Sequence, residues 1–217
     1  HAGICICALL AIALLGAGVL DRSVPPGSVA ARRALNLVQQ SKSKEALAAA
    51  QAAFAADKND ALALTVSGMA HVNLGDYKAA LADENAAISI ASAYSYPYVY
   101  RGAARYYLDD DKGAIADETT ALRIDPQDDV AFAYRGAAHY ELDEYRAAID
   151  DETAALRIGP SWLRYRTRAA ARYYTDDDSG AMADASATLK YEPSDDFALA
   201  IRGEAAFDLQ KYAQAIQ

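Results

Sequence analysis

Small and apolar positions recur along this chain on a fixed lattice. Gly68, Gly102, Gly136 and Gly203 fall on one lattice, with Ala169 taking the slot between the last two. Ala46, Ala80, Ala114, Ala148, Ala181 and Ala215 fall on a second, and Ala53, Ala87, Ala121 and Ala155 on a third. Neighbours on the second lattice are 34 residues apart, except for Ala148 and Ala181, which are 33 apart. A fixed period of that size marks an array of helical repeats, in which each copy buries its apolar face only by stacking on the next. Within one period, residues 129–160 read as two short amphipathic helices joined by a tight turn.

The lattice also predicts what each position is for. Gly136 and Ala137 on the first helix are expected to face Ala148 and Ala155 on the second, so that the backbones approach closely. A glycine inside a helix costs about 1 kcal/mol against alanine, so its recurrence points to a steric demand. Ile149, Leu156 and Ile158 sit at helical spacing, recur as Ile115, Leu122 and Ile124, and are expected to form the core between repeats. Pro126, Pro160 and Pro193 stand where each second helix should stop.

On these residues the chain resembles the tetratricopeptide-repeat family. An aromatic (Tyr98, Phe132) precedes the glycine by four residues (Gly102, Gly136). Leu74 and Tyr77, or Leu142 and Tyr145, follow at the turn, then the alanines, then the proline. The resemblance covers residues 27 onward. It implies an all-α fold, a right-handed α-solenoid of antiparallel helix pairs, whose concave groove holds a peptide or a partner helix. The repeats are expected at about 28–60, 61–94, 95–128, 129–161 and 162–195, with a partial copy at 196–217 that barely enters its second helix.

The chain departs from the family at one place in each repeat. Aromatics belong midway along both helices, but here the first-helix slot holds His71, Arg105, His139 and Arg172, and the second-helix slot holds Glu84, Glu118 and Glu152. The expected pairs are His71–Glu84, Arg105–Glu118 and His139–Glu152. They read either as structural ion pairs between packed helices or as a polar register that selects a partner. The repeat at 162–195 has Ala185 in the glutamate slot, so Arg172 needs another acid, such as Asp184.

Charge narrows the partners. The net charge is −9 and the pI about 4.8, which argues against nucleic acid, whose phosphates need a basic surface. A protein or peptide ligand of basic or aromatic character fits better. The uncharged run at residues 4–20 reads as a signal peptide or a membrane anchor, with 1–27 forming that segment and its Pro/Gly linker and 28–217 the repeat array. Either reading makes the array secreted, periplasmic or membrane-anchored, with the membrane met only through an uncleaved segment. Cys5 and Cys7 both lie in that run, so the repeats hold together without disulfides.

In the resembled family one stripe of the first helices lines the groove. On this chain that stripe gives Met69, Val72, Val99, Tyr106, Ala133, Tyr140, Arg166, Tyr173 and Phe207, with Tyr107 and Tyr174 at its edge. The tyrosines offer large contact area with a polar tip, or else fill volume left where histidine and arginine took the neighbouring slot. The triplets 109–111 and 176–178, all aspartate, suit helix capping better than a calcium loop. Arg101, Arg135, Arg168 and Arg202 recur with Asp83, Asp117, Asp151 and Asp184, which favours Arg–Asp bridges over a phosphate-binding row. No phosphate loop, nucleophile elbow, metal cluster or cofactor motif is present. The expected function is a non-catalytic protein-binding scaffold. The alternatives are a self-associating or membrane-complex module, and the interaction half of a larger enzyme.

Overall fold

The computed structural model describes residues 24–215, with side chains described as far as residue 210. Every regular element among the described residues is a helix. In chain order they are α1 (Val29–Gln39), α2 (Ser43–Ala56), α3 (Ala61–Leu74), α4 (Tyr77–Ile90), α5 (Tyr96–Tyr106) and α6 (Asp111–Ile124). Then come α7 (Asp129–Glu141), α8 (Tyr145–Ile158), α9 (Trp162–Tyr173), α10 (Asp178–Tyr191) and α11 (Asp196–Ala215). Contacts divide the chain into two compact units, one ending at Pro126 and one beginning at Gln127. In the first, each helix from α1 to α6 packs on the next, and α1, α3 and α5 also touch in a row. In the second, α7 to α11 pack in succession, and α7, α9 and α11 form the row. Among the described residues no helix is long and apolar enough to cross a membrane. The proposed signal or anchor at 4–20 lies outside them.

Alanine makes the core. Ala46, Ala80, Ala114, Ala148 and Ala181 have no exposed surface, and Ala87, Ala121 and Ala155 have none either. The isoleucines expected beside them do less: Ile115 and Ile149 are half-buried and Ile158 is exposed. Helices this close leave room for a methyl group at the crossing, and a larger neighbour one position along points about 100° away. Helix α3 differs from the rest because it is apolar on every face and buried on every face, as such helices must be. The segment before α1 helps to cover it, with the Ser28 amide donating to Asp60 Oδ2 at 2.9 Å.

The turns show what the aspartate triplets do. Between the helices of each hairpin one residue has positive φ: Ser41, Gly75, Asp109, Asp143 and Asp176. The amide that follows reaches back to the last turn of the first helix, as in Asp110 N–H to the Arg105 carbonyl at 2.9 Å and Asp177 N–H to the Arg172 carbonyl at 3.0 Å. This closes the first helix in the Schellman manner. The next two aspartates divide the remaining work. Asp110 accepts from the Gly113 amide and Asp177 from the Gly180 amide as N-caps, while Asp111 and Asp178 begin α6 and α10. Replacing Asp109 with glycine is expected to stabilise the fold by about 0.5 kcal/mol, the relief at positive φ less the greater chain entropy of glycine. Urea denaturation is the check, and Asp109→Val is expected to move it the other way.

One expected turn is missing. Gln210 takes the positive-φ slot in the partial copy, and α11 runs through it without a break. Glutamine is a good helix former and, unlike Ser, Gly or Asp, gains little from the left-handed region. The hairpin expected at the end of the chain is therefore a single long helix.

Candidate functional site

The three predicted basic–acidic pairs need correction. His71 lies 3.7 Å from both Asp76 and Asp83, Arg105 bonds Asp117 at 2.9 Å, and His139 lies 2.5 Å from Glu144 and 3.9 Å from Asp151. In each repeat the basic side chain meets the aspartate one residue before the expected glutamate. Arg172 does reach Asp184, at 2.9 Å.

The glutamates have a different neighbour. Glu84, Glu118 and Glu152 are buried, and each lies against the glycine of the preceding helix. A Cβ on Gly68 would stand 2.7 Å from Glu84 Cδ, and one on Gly102 would stand 2.8 Å from Glu118 Cδ. The glycines therefore make room for a carboxyl group; the expected glycine-to-alanine backbone approach is not their role. Both oxygens of Glu84 and the Oε2 of Glu152 are buried without a hydrogen bond in the protein. Burial raises both groups well above the usual carboxyl range, and for Glu84 the adjacent Asp83 adds to it while Arg101 opposes. Arg164 and Arg168 oppose the rise at Glu152, where Asp151 adds to it.

The arginines before the glycine slot make fork-like bridges to the second helix. Arg101 bonds Asp117 at 2.8 and 2.6 Å, Arg135 bonds Asp151 at 2.9 and 2.7 Å, and Arg168 bonds Asp184 at 2.7 and 2.8 Å. Each guanidinium also lies over the ring three residues earlier, on Tyr98, Phe132 and Tyr165 respectively. The matched aspartates occupy these cations, which excludes them as a phosphate-binding row.

The predicted groove residues divide by burial. Met69, Val72, Val99, Tyr106 and Ala133 are buried and offer no open surface. Met69 and Val72 belong to α3, the helix enclosed on all sides. Arg166 is held at 3.3 Å by Asp195 and lies over the Phe197 ring. Tyr107, Tyr140 and Tyr173 are half-buried, while Tyr174 is 55% exposed and Phe207 59%.

What the sequence reading missed is that the groove-edge tyrosines stack on the start of the preceding second helix. In the first unit Tyr107 stacks on Tyr77 with ring centres 4.6 Å apart and planes 14° apart. In the second unit Tyr174 stacks on Tyr145 at 4.8 Å and 14°. Tyr140 adds a third ring, 5.6 Å from Tyr145 and 6.2 Å from Tyr174, and Tyr173 meets Tyr174 edge-on. The signal was present as an alternation over two repeats. First helices are preceded in turn by Ser28, Asp60, Ser95, Asp128, Ser161 and Asp195, and the tyrosine slot reads Tyr77, Asp111, Tyr145, Asp178. Histidine and arginine alternate in step. The aromatic stacks thus recur with a period of two hairpins.

Among the described residues no group of three or more His, Cys, Asp or Glu side chains is placed to hold a metal ion. No family model matches the chain, and no curated protein matches it in sequence. Solved structures do match. A thermophilic tetratricopeptide-repeat protein of Thermus thermophilus superimposes with a TM-score of 0.64 at 19% identity, covering 83% of this chain and 97% of its own. YrrB, described as a tetratricopeptide-repeat protein with an unusual peptide-binding site, gives 0.62 at 18% identity over 80% of this chain and 90% of its own. The APC/C hetero-tetramer Cut9–Hcn1 gives 0.72 at 19% identity over 79% of this chain and 35% of the matched one. At these identities the likeness establishes the fold: an all-α helical repeat of the tetratricopeptide type.

Proposed function

We propose that this chain is a non-catalytic protein-interaction scaffold that binds a peptide or a partner helix along its first helices. The observation that carries the reading is the tyrosine cluster of the second unit, whose central ring, Tyr174, is more than half exposed, whereas five other residues of the predicted stripe are buried. Large aromatic surface with a polar tip suits recognition, and such rings dominate binding energy where they anchor a partner. The fold supports it by analogy, since a structurally similar protein is described by its peptide-binding site. The apolar run at 4–20 favours a scaffold working outside the cytoplasm or at a membrane.

Selection of a random peptide library against the full chain tests this. Peptides are expected to enrich, and the enriched ones are expected to lose about tenfold in affinity on Tyr174→Ala, as for a moderate aromatic hot spot. The melting temperature is expected to change little, because the ring is exposed. A library that fails to enrich over the bare support would overturn the proposal.

A further inference from the structure

Within the second unit the chain twice builds its own cradle for a guanidinium. Arg135 lies 5.6 Å from the Phe132 ring centre and is held by Asp151, and Arg168 lies 5.8 Å from the Tyr165 ring centre and is held by Asp184. Each cradle has three parts: an aromatic face, a carboxylate at its edge, and the cation between them. The tyrosine cluster presents the first two parts on open surface. Tyr174 supplies the exposed face, and Tyr145, stacked beneath it, donates its hydroxyl proton to Asp143 Oδ1. Glu141 and Glu144 stand in the same turn region, on either side of Asp143 in the chain.

The local field is negative. The Tyr145 phenol is pushed up to about 12, first by its hydrogen bond to Asp143, then by burial and by the charge of Asp143, with Tyr174 and Glu141 adding. Tyr140 is also raised, chiefly by burial, with Tyr174, Tyr145 and Glu141 adding. Two basic side chains lie close by. His139 is engaged by Glu144 at 2.5 Å, and Arg146 lines an open hollow that runs from Asp143 to Thr175. With Glu144 engaged by His139, one arginine stands against the two carboxylates of Asp143 and Glu141, which leaves the patch acidic.

We propose that this patch binds a basic segment of a partner protein, with an arginine side chain lying on the Tyr174 ring and its guanidinium directed to Asp143 and Glu141. The inference rests on the scaffold reading and specifies its partner. Arginine fits better than lysine because its planar group stacks on a ring and still presents donors in the plane. An acidic partner meets like charge, and a purely apolar one would strip water from carboxylates without replacing their hydrogen bonds.

Fluorescence anisotropy on the full chain decides it, with two labelled Gly-Ser peptides of equal length, one bearing spaced arginines and the other spaced glutamates. The arginine peptide is expected to bind at physiological salt and the glutamate peptide not to. Tyr174→Ala is expected to weaken binding about tenfold, a moderate cation–π contribution, and Tyr174→Phe to preserve it. Asp143→Asn combined with Glu141→Gln is expected to weaken it similarly and to reduce its salt dependence. Equal binding to wild type and Tyr174→Ala overturns the inference, because diffuse attraction to an acidic protein does not need that ring. If the arginine peptide fails while library-selected peptides of other composition bind through Tyr174, the partner chemistry is wrong and the scaffold stands. If no peptide of any kind binds, both readings fall.

Discussion

Gly68→Ala is expected to destabilise this fold by about 2 kcal/mol, and adding Glu84→Ala is expected to return most of that loss. Taken alone, glycine to alanine inside a helix is favourable by about 1 kcal/mol. Here the new methyl group would stand 2.7 Å from Glu84 Cδ, and overpacking a closed core costs about 1–3 kcal/mol before any buried carboxyl is displaced. Glu84 has no exposed surface. The chain contains its own control for the double change. Where the helix pairs carry Gly68–Glu84, Gly102–Glu118 and Gly136–Glu152, the equivalent positions in the first and fifth pairs are Ala34–Ala50 and Ala169–Ala185. Both alanines of each pair are fully or almost fully buried. Gly–Glu and Ala–Ala are therefore two solutions to one packing problem, and the substitutions must be coupled. Urea denaturation of the two single variants and the double variant should show a coupling of about 2 kcal/mol or more. Additive effects would mean that the carboxyl moves aside and that the glycine has another purpose. Gly136→Ala should cost less, since its nearest contacts on Asp151 and Glu152 stand at 3.2 Å.

The architecture was legible because a repeated period leaves little freedom. A spacing of 34 residues with alanine at each crossing admits few packings, and the lattice alanines Ala80, Ala114, Ala148 and Ala181 have no exposed surface. The proline positions were equally plain, each standing two residues beyond the last helical residue, Ile124, Ile158 or Tyr191. The side-chain pairing was not legible. Asp83 and Glu84 are neighbours on one helix, about 100° apart around its axis, and residue type alone does not say which of them faces the histidine. The answer depended on volume: the longer side chain entered the gap left by the missing Cβ of Gly68, which left the shorter one to meet His71. Exposure along the predicted stripe was not legible for a similar reason. A stripe of first-helix positions fixes direction, but closure by neighbouring elements decides exposure, and α3 is enclosed while Tyr174 is not. The two-hairpin alternation could have been read from the sequence. It was hidden because a single-repeat lattice compares each copy only with the next.

The same buried carboxyls should make the stability of the chain fall as pH rises. Burial raises Glu84 and Glu152 well above 4.5, and it raises Asp83, Asp111 and Asp178 above 3.8. Between the unfolded value and the raised folded one, the folded state holds a proton that the unfolded state has released. Folding then binds protons, and stability is lost with increasing pH at up to about 1.4 kcal/mol per unit for each titrating group. Below the unfolded value both states are protonated and the full contribution is present; above the folded value it has gone. Arg101 near Glu84, and Arg164 and Arg168 near Glu152, oppose the rise without reversing its direction. Thermal melts from about pH 5.5 to about pH 8.5 should therefore show a falling melting temperature, with the lower limit set clear of the pI of about 4.8. Glu84→Gln with Glu152→Gln keeps the shape of both side chains and removes their protons from the balance. That variant should lose most of the slope and lie above wild type at the alkaline end. A slope unchanged in the double variant would show that the exposed carboxylates set the pH response. It would also mean that Glu84 and Glu152 are ionised in the folded chain, with a counter-charge or water reaching them beneath Gly68 and Gly136.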